Sequence, residues 1–349
     1  MNINFHYFTV KALASLAGFP EEEAQNIATY SQFVDDHTQY KTLVLDDVPV
    51  FAEHLAETKG NKWYFNPVTT GFTTYVEIAR LSRLENQKKI LIPFHFIPTK
   101  YTLDQEIKDR SKWRVLPASL NEKSHITELL LDAKEKYRKN PDSPLIGIRI
   151  GLLLHIFSDT YAHTGFSGFK GWENHAKVIK ATNKASGADV TQDYSKFYIV
   201  SSIGHANIGH APDDSHITYN ITQKNTTNDN YTLKTSRNNA QIYLEAAHEI
   251  LNYLRTCKDK KTVTTSQWAK IEEKLTKGFL TSHTDKAKLS EHWTEIFPDI
   301  LFYYTPTRQN KIDNKFFYYN VVADEVIRKV NNQNLPTTIK RKTTLIEKN

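Results

Sequence analysis

The sequence predicts a mainly α protein, a multi-helix bundle around a buried central helix with a small inserted β-hairpin. Three observations predict it. Apolar residues recur at helical spacing in most segments beyond residue 20. One run, Leu145 to Phe157, is apolar on nearly every side, as a helix buried all round must be. One stretch, Ser215 to Ser236, switches to alternation, the period of a strand.

The elements follow in chain order. Pro20 with Glu21, Glu22 and Glu23 opens a helix, because proline suits the first turn and acids suit the positive end of the dipole. Ala24, Ile27, Ala28 and Phe33 continue its apolar face until Asp35-Asp36-His37. A second helix is expected from about Glu122 to Lys139, stopped by Asn140-Pro141. Ser143-Pro144 then caps the apolar run of the central helix. Asn239 to Arg255 is amphipathic through Ile242, Leu244, Ala247, Ile250, Leu251 and Leu254; Thr265 to Phe279, Lys286 to Phe297 and Phe316 to Val330 give three more helices. In the hairpin, Ile217, Tyr219 and Ile221 alternate with polar residues, Lys224 to Asn230 is turn chemistry, and Tyr231 and Leu233 alternate again. With no internal repeat or long linker, residues 1–330 are expected to form one domain (the hairpin at 215–236 inserted) and residues 331–349 a mobile polar tail.

Composition narrows the chemistry. The 349 residues are 39% hydrophobic and 12% aromatic, enough for a substantial core and too aromatic for a disordered chain. The one cysteine, Cys257, excludes a disulfide framework and any thiolate-rich metal site within the chain, so a metal would be held by histidine and carboxylate. The 14 histidines are numerous beside one Cys and one Met, and they cluster. The net charge of +6 is spread along the chain, and no RRM, KH, zinc-finger or P-loop pattern accompanies it. It reads as a solvated surface with no strong nucleic-acid signature. Met1 to Phe8 lacks a basic segment followed by an apolar run, and no stretch reaches the ~20 apolar residues of a bilayer span. A soluble cytoplasmic protein is expected, with export by a non-Sec route the alternative.

His155, Asp159 and His163 stand at i, i+4 and i+8, within about 80° of one another on a helix, a polar seam on an apolar segment. Two imidazoles and a carboxylate are costly to bury unless paired or bound to a cation. A metal ion resolves the cost, and a hydrogen-bonded seam without metal is the plain alternative. A second cluster, Gly204-His205-Ala-Asn-Ile-Gly209-His210-Ala-Pro-Asp213-Asp214, has the residue types of a metal loop. Three further segments place His6 in Asn-Phe-His-Tyr, Asp35 and Asp36 at a helix end, and His95 between two phenylalanines. Each is weak singly, and together they suggest one site.

The helix motif His155-x-x-x-Asp159, in the setting Gly-Leu-Leu-Leu-His155 to His163-Thr-Gly165-Phe-Ser-Gly168, resembles that of the zinc-dependent phospholipase C and fungal-type nuclease superfamily. With Asn-Phe-His6-Tyr, Gln32-Phe-Val-Asp35-Asp36, Pro-Phe-His95-Phe and Gly-His210-Ala-Pro-Asp213, the chain looks closer still to an uncharacterised bacterial family related to that superfamily, over roughly residues 1 to 255. The resemblance implies an α-helical bundle in which two or three zinc ions hydrolyse phosphodiesters. By it, His155 and Asp159 are ligands, with Asp159 bridging; His163 feeds a neighbouring ion; His210 with Asp213 or Asp214 forms the later pair; and Asp35 or Asp36, His6 and His95 complete the shell. Two departures stand out. The superfamily often uses an N-terminal Trp, exposed by signal-peptide cleavage, as a ligand, whereas this chain begins Met-Asn-Ile. The last pair also carries Asp after a proline where the superfamily has Glu on a helix.

The leading expectation is a phosphoric-ester hydrolase, phospholipase C-like or phosphodiesterase-like, acting through a metal-activated water. One to three zinc ions, or another divalent metal, would serve a phosphoester small molecule or a phospholipid, and Asp35 or Asp36 would be the general base if not a ligand. An HD-type phosphohydrolase is less favoured because no histidine is followed directly by aspartate; Asp36-His37 is the reverse order. A non-enzymatic helical interaction or effector protein with a structural metal site is the reading from a different class.

Overall fold

A computed structural model describes residues 1–72, 81–102, 110–196, 202–224, 232–304 and 311–332. The chain is mainly helical, with two small three-stranded sheets. A π-helical turn, Asn4–Thr9, runs into α1 (Val10–Ala17), which ends on Gly18 in the left-handed conformation. Pro20 then starts α2 (Glu21–Asp36), as its sequence requires. The helix α3 (His125–Lys139) begins where the Ser124 side chain accepts the Thr127 amide, three residues after the Glu122 start expected from periodicity, because the cap sets the first turn. A fully buried helix, α4 (Ile146–Ala162), comes next, and α5 (Asn239–Cys257), α6 (Thr265–Phe279), α7 (Lys286–Ile296) and α8 (Asn314–Val330) follow. Thr264 and Gln267 form a reciprocal capping box at the start of α6.

Every residue of α4 is buried, so the all-round apolar run has its physical cause in contact on all sides, with α2, α3, α5 and α8 packed against it. The closest of these contacts is with α2. A Cβ on Gly151 would lie 2.3 Å from the Ile27 carbonyl oxygen, so only glycine allows the two backbones to approach this far. Arg149 leaves the other side of α4 in a bidentate pair with Glu325 of α8, at 2.6 and 3.0 Å.

The small strands β1 (Leu43–Leu45), β2 (Ala56–Lys59) and β3 (Lys62–Phe65) form an antiparallel sheet in the order β1-β3-β2, which the sequence reading did not foresee. The expected hairpin is present as β5 (Ile217–Lys224) and β6 (Thr232–Asn238), antiparallel, with Tyr219 opposite Arg237. It is not an isolated insertion: β4 (Ala176–Asn183) pairs with β5 and completes the sheet β4-β5-β6. The buried face of β5 needs this partner, since Ile217, Tyr219 and Ile221 pack into a second core with Val178, Phe96, Phe166 and Ile208. The turn residues 225–230 and Tyr231, and the tail beyond Asn332, lie outside the described residues.

The sheet also closes α4. The Arg237 guanidinium, from β6, donates to the carbonyls of Tyr161, Ala162 and Thr164 at 2.9, 2.9 and 3.0 Å, satisfying carbonyls at the C-terminal end of α4 and placing positive charge on its dipole. No helix among the described residues is long and apolar enough to cross a membrane.

The α2–α4 approach gives a test. Gly151→Val should destabilise the protein by about 1–3 kcal/mol or more through overpacking against Ile27. Urea unfolding measures this, and a midpoint unchanged from the parent protein would show that the helices can separate without cost.

Candidate metal centre

Asp159, one turn after His155 on α4, is the hub. It is buried, and its carboxylate oxygens face five partners, the fifth being His163 Nδ1 at 3.6 Å from Oδ2. Oδ1 lies 2.6 Å from the Met1 amine and 3.2 Å from His6 Nε2, and Oδ2 lies 3.2 Å from His95 Nδ1 and 3.3 Å from His155 Nε2. Asp213 repeats the pattern one step away: Oδ1 lies 3.1 Å from both the Met1 amine and His163 Nε2, and Oδ2 lies 3.4 Å from His205 Nε2. Asp35, at the end of α2, stands 3.7 Å from His155 Nε2 and 3.9 Å from His95 Nδ1. Three triads could hold a metal ion: His6, His155 and Asp159; Asp35, His95 and His155; and His163, His205 and Asp213.

Each ring is aimed by its other nitrogen. His155 Nδ1–H donates to the Ser31 carbonyl at 2.9 Å, His95 Nε2–H to Thr70 at 2.8 Å, His163 Nδ1–H to His95 at 2.7 Å and His205 Nδ1–H to Gly209 at 2.7 Å. Ser158 donates its hydroxyl proton to the His155 carbonyl at 2.8 Å, so its oxygen accepts from His6 Nδ1–H at 3.3 Å. A carbonyl or an already donating hydroxyl can only accept, so five backs carry the proton and five fronts present lone pairs when the rings are neutral. Those lone pairs face carboxylate oxygens and one another, with His155 Nε2 3.4 Å from His95 Nδ1. His6 Nε2 is buried and makes no hydrogen bond. Acceptors packed against acceptors repel unless protons or cations lie between them, which is the chemistry of a metal donor set supported from behind.

The electrostatics agree. Burial pushes His6 well below the usual imidazole range, and the neighbouring His155 and Met1 amine push the same way. Burial lowers His205 to about 4 despite Asp213. Burial alone would raise Asp159 and Asp213, but the surrounding imidazoles and the Met1 amine outweigh it and hold both well below the usual carboxylate range. Burial opposes the charged Met1 amine, yet Asp159 and then Asp213 raise it to about 10. Burial would lower His95, but its hydrogen bond to Asp159, the charges of Asp159 and Asp35 and the Thr70 carbonyl together raise it, and burial raises Asp35.

The structure thus brings together His6, Asp35, His95, His155, Asp159, His163, His205 and Asp213. His163 is the residue just past the end of α4 and not within it, but its amide still bonds the Asp159 carbonyl at 2.9 Å, so the helical seam extends to it. Three expected members stand outside the triads. The His210 side chain is 77% exposed and 3.9 Å from Asp213. Asp214 turns away to accept from Tyr194 at 2.8 Å and Asn2 at 3.3 Å. Asp36 accepts from Tyr304 and, at 3.2 Å, from Gln32. The sequence reading missed the Met1 amine, which carries no side-chain signal, and the anchors of the Asp213 loop. Asn239 donates to the Ala211 and Asp214 carbonyls at 2.6 and 2.8 Å, and the Tyr243 hydroxyl donates to the Asp213 carbonyl at 2.6 Å. Both lie in the first two turns of α5, on the amphipathic face that the sequence does show.

Fold and site together define a mainly helical protein whose buried His/Asp clusters could hold metal ions. The chain belongs to DUF6765, a family of unknown function, which it matches over residues 1–345. No curated protein and no solved structure matches the sequence.

These shifts set the pH dependence of the metal-free protein. Rings with lowered folded values take up protons more readily when unfolded, so His6 and His205 cost stability as pH falls below 6.5, His205 down to about 4, and Asp159 and Asp213 cost more below 3.8. Raised groups act on the other side. His95 loses its contribution above 6.5, and the Met1 amine contributes fully below 8.0 and loses its effect as pH rises through about 10. Thermal unfolding with chelator should peak near neutrality and fall both ways; a flat profile between pH 8 and 10 would disprove the Met1 pairing.

Proposed function

We propose that the protein is a metal-dependent phosphoric-ester hydrolase that uses zinc and acts on phosphodiesters or phospholipids. The observation that carries the metal is the donor set: five imidazoles tied down on one nitrogen, their free nitrogens converging on two buried carboxylates, with His6 Nε2 unsatisfied. Nitrogen and oxygen donors without sulfur suit zinc, and Asp159 would hold the metal together with the histidines that face its oxygens. What supports phosphoesters is the likeness of the His155-x-x-x-Asp159 helix and its companion segments to the zinc-dependent phospholipase C and nuclease superfamily.

Divalent metal bound by these groups would supply Lewis-acid activation of water and neutralise charge on the phosphoryl group. The remaining work falls to the chain. Ser31, Thr70, His95 and Gly209 hold the rings through their carbonyls, so the imidazoles need no reorientation when a ligand arrives. Asp35 has the most exposed carboxylate of the triads, its side chain 32% accessible, and burial raises its affinity for a proton. If it is not itself a ligand, it suits the general base, taking a proton from water at Oδ1 or Oδ2. Its exposure also argues against a closed structural site, which would surround the ion completely.

The test is metal content by mass spectrometry of protein purified without chelator, beside turnover of bis(p-nitrophenyl) phosphate and phosphatidylcholine. His155→Ala and Asp159→Ala should lose metal and at least about 100-fold in kcat/KM. Protein without transition metal, together with variants of unchanged thermal stability, would overturn the metal reading. Metal without turnover on either ester would favour a structural ion in an interaction protein.

A further inference from the structure

The triads open to solvent at Asp35, and what lies beside that opening is mainly apolar, with Thr38, Thr69 and Asn86 among its walls. Gly71 sits so close to α2 that a Cβ there would fall 1.9 Å from the Asp35 carbonyl oxygen, and the next residue, Phe72, sets its ring edge-on to His95 at 5.9 Å. Phe72 and Gly71 are also part of the wall of a cavity of about 160 Å³, which Tyr40, Val68, Leu81 and Ile90 line from the other sides. Tyr40 and Phe72 are 52% and 37% exposed, large aromatic surfaces left in water at the rim. The cation in the wall, Lys89, is paired with Glu85, so the cavity offers no uncompensated charge to a polyanion among its described lining residues. Its volume is comparable with the ~150 Å³ apolar cavity that takes up benzene.

We propose that this cavity is the subsite for an aryl or similarly small apolar arm of the phosphoester, with the phosphoryl group placed toward Asp35 and His95. The proposal rests on the hydrolase reading and sharpens its substrate class: an ester with one compact apolar alcohol, in preference to a nucleic-acid strand, whose flanking phosphates would find no uncompensated cation among the described lining residues. Phe72 links the two regions, since its ring touches a triad histidine and walls the cavity. Its predicted role, with Tyr40, is to set specificity.

The experiment is calorimetric titration of the zinc-loaded full chain with phenylphosphonate and methylphosphonate, neither of which can be hydrolysed. Phenylphosphonate should bind roughly tenfold more tightly. In Tyr40→Ser and in Phe72→Ser the ratio should fall toward one while zinc content is retained. Equal affinities in the parent protein, or a ratio that both substitutions leave intact, overturn the subsite. The two readings fail separately: a phenyl preference lost in the variants, in protein that hydrolyses no phosphoester, would sink the hydrolase and keep the cavity as a ligand site. Protein that takes up no zinc would remove the metal centre and this proposal with it.

Discussion

The arrangement turns on one carboxylate. Asp159 is buried on a largely apolar helix, and it is held ionised by the groups around it: His6 and the Met1 amine on one oxygen, His95, His155 and His163 on the other. An isolated buried carboxylate would be too costly to keep charged. Much of the fold can be traced to meeting that requirement. The π-helical turn at the N-terminus carries Met1 and His6 inward, the α2–α4 contact brings Ser31 and Asp35, and the turn before α3 that follows Ile92–Phe94 brings His95. The loop before β5 supplies Asp213, which shares the Met1 amine with Asp159 and faces His163.

Two features outside the triads serve the same centre. Gly151 lets α2 lie against α4 closely enough for the Ser31 carbonyl to reach His155, so a backbone clearance becomes the aim of a ring. Arg237 reaches from the sheet to the last carbonyls of α4, just where His163 must hold its position. The hairpin therefore has a structural reason to be where it is: it delivers a cation to the end of α4, and β4 covers the apolar face that this delivery would otherwise expose.

The helices were legible because their signals are local. Pro20, the run of acids after it, Asn140-Pro141 and the continuous apolar segment of α4 each act within a turn or two, and the structure follows them with shifts of a few residues at the ends. The seam of His155 and Asp159 was legible for the same reason, since period fixes its face. What was not legible is what depends on distant partners. β1 to β3 are three or four residues long, too short for alternation to declare itself, and exist because they pair. In Asp35-Asp36 and in Asp213-Asp214, adjacent carboxylates leave the backbone in different directions. Composition nominates both, and only the tertiary neighbours (Tyr304 for Asp36, Tyr194 for Asp214) decide which one turns away.

The Met1 amine was invisible for a more basic reason: a main-chain group has no residue type to read. Yet it explains a feature of the donor set that side chains alone leave unresolved. Asp159 and Asp213 present their Oδ1 atoms toward each other's neighbourhood, and like-charged oxygens converge only around positive charge. The ammonium stands between them at 2.6 and 3.1 Å. Their Oδ2 atoms point to the other histidines, His95, His155 and His163 for one and His205 for the other, and among the described residues no fixed cation accompanies those pairs. The centre is thus electrostatically complete on one edge and deficient on two. Those two edges coincide with the Asp35–His95–His155 and His163–His205–Asp213 triads, one of which reaches solvent beside Asp35. An incoming cation would meet its preorganised donors there without displacing the amine.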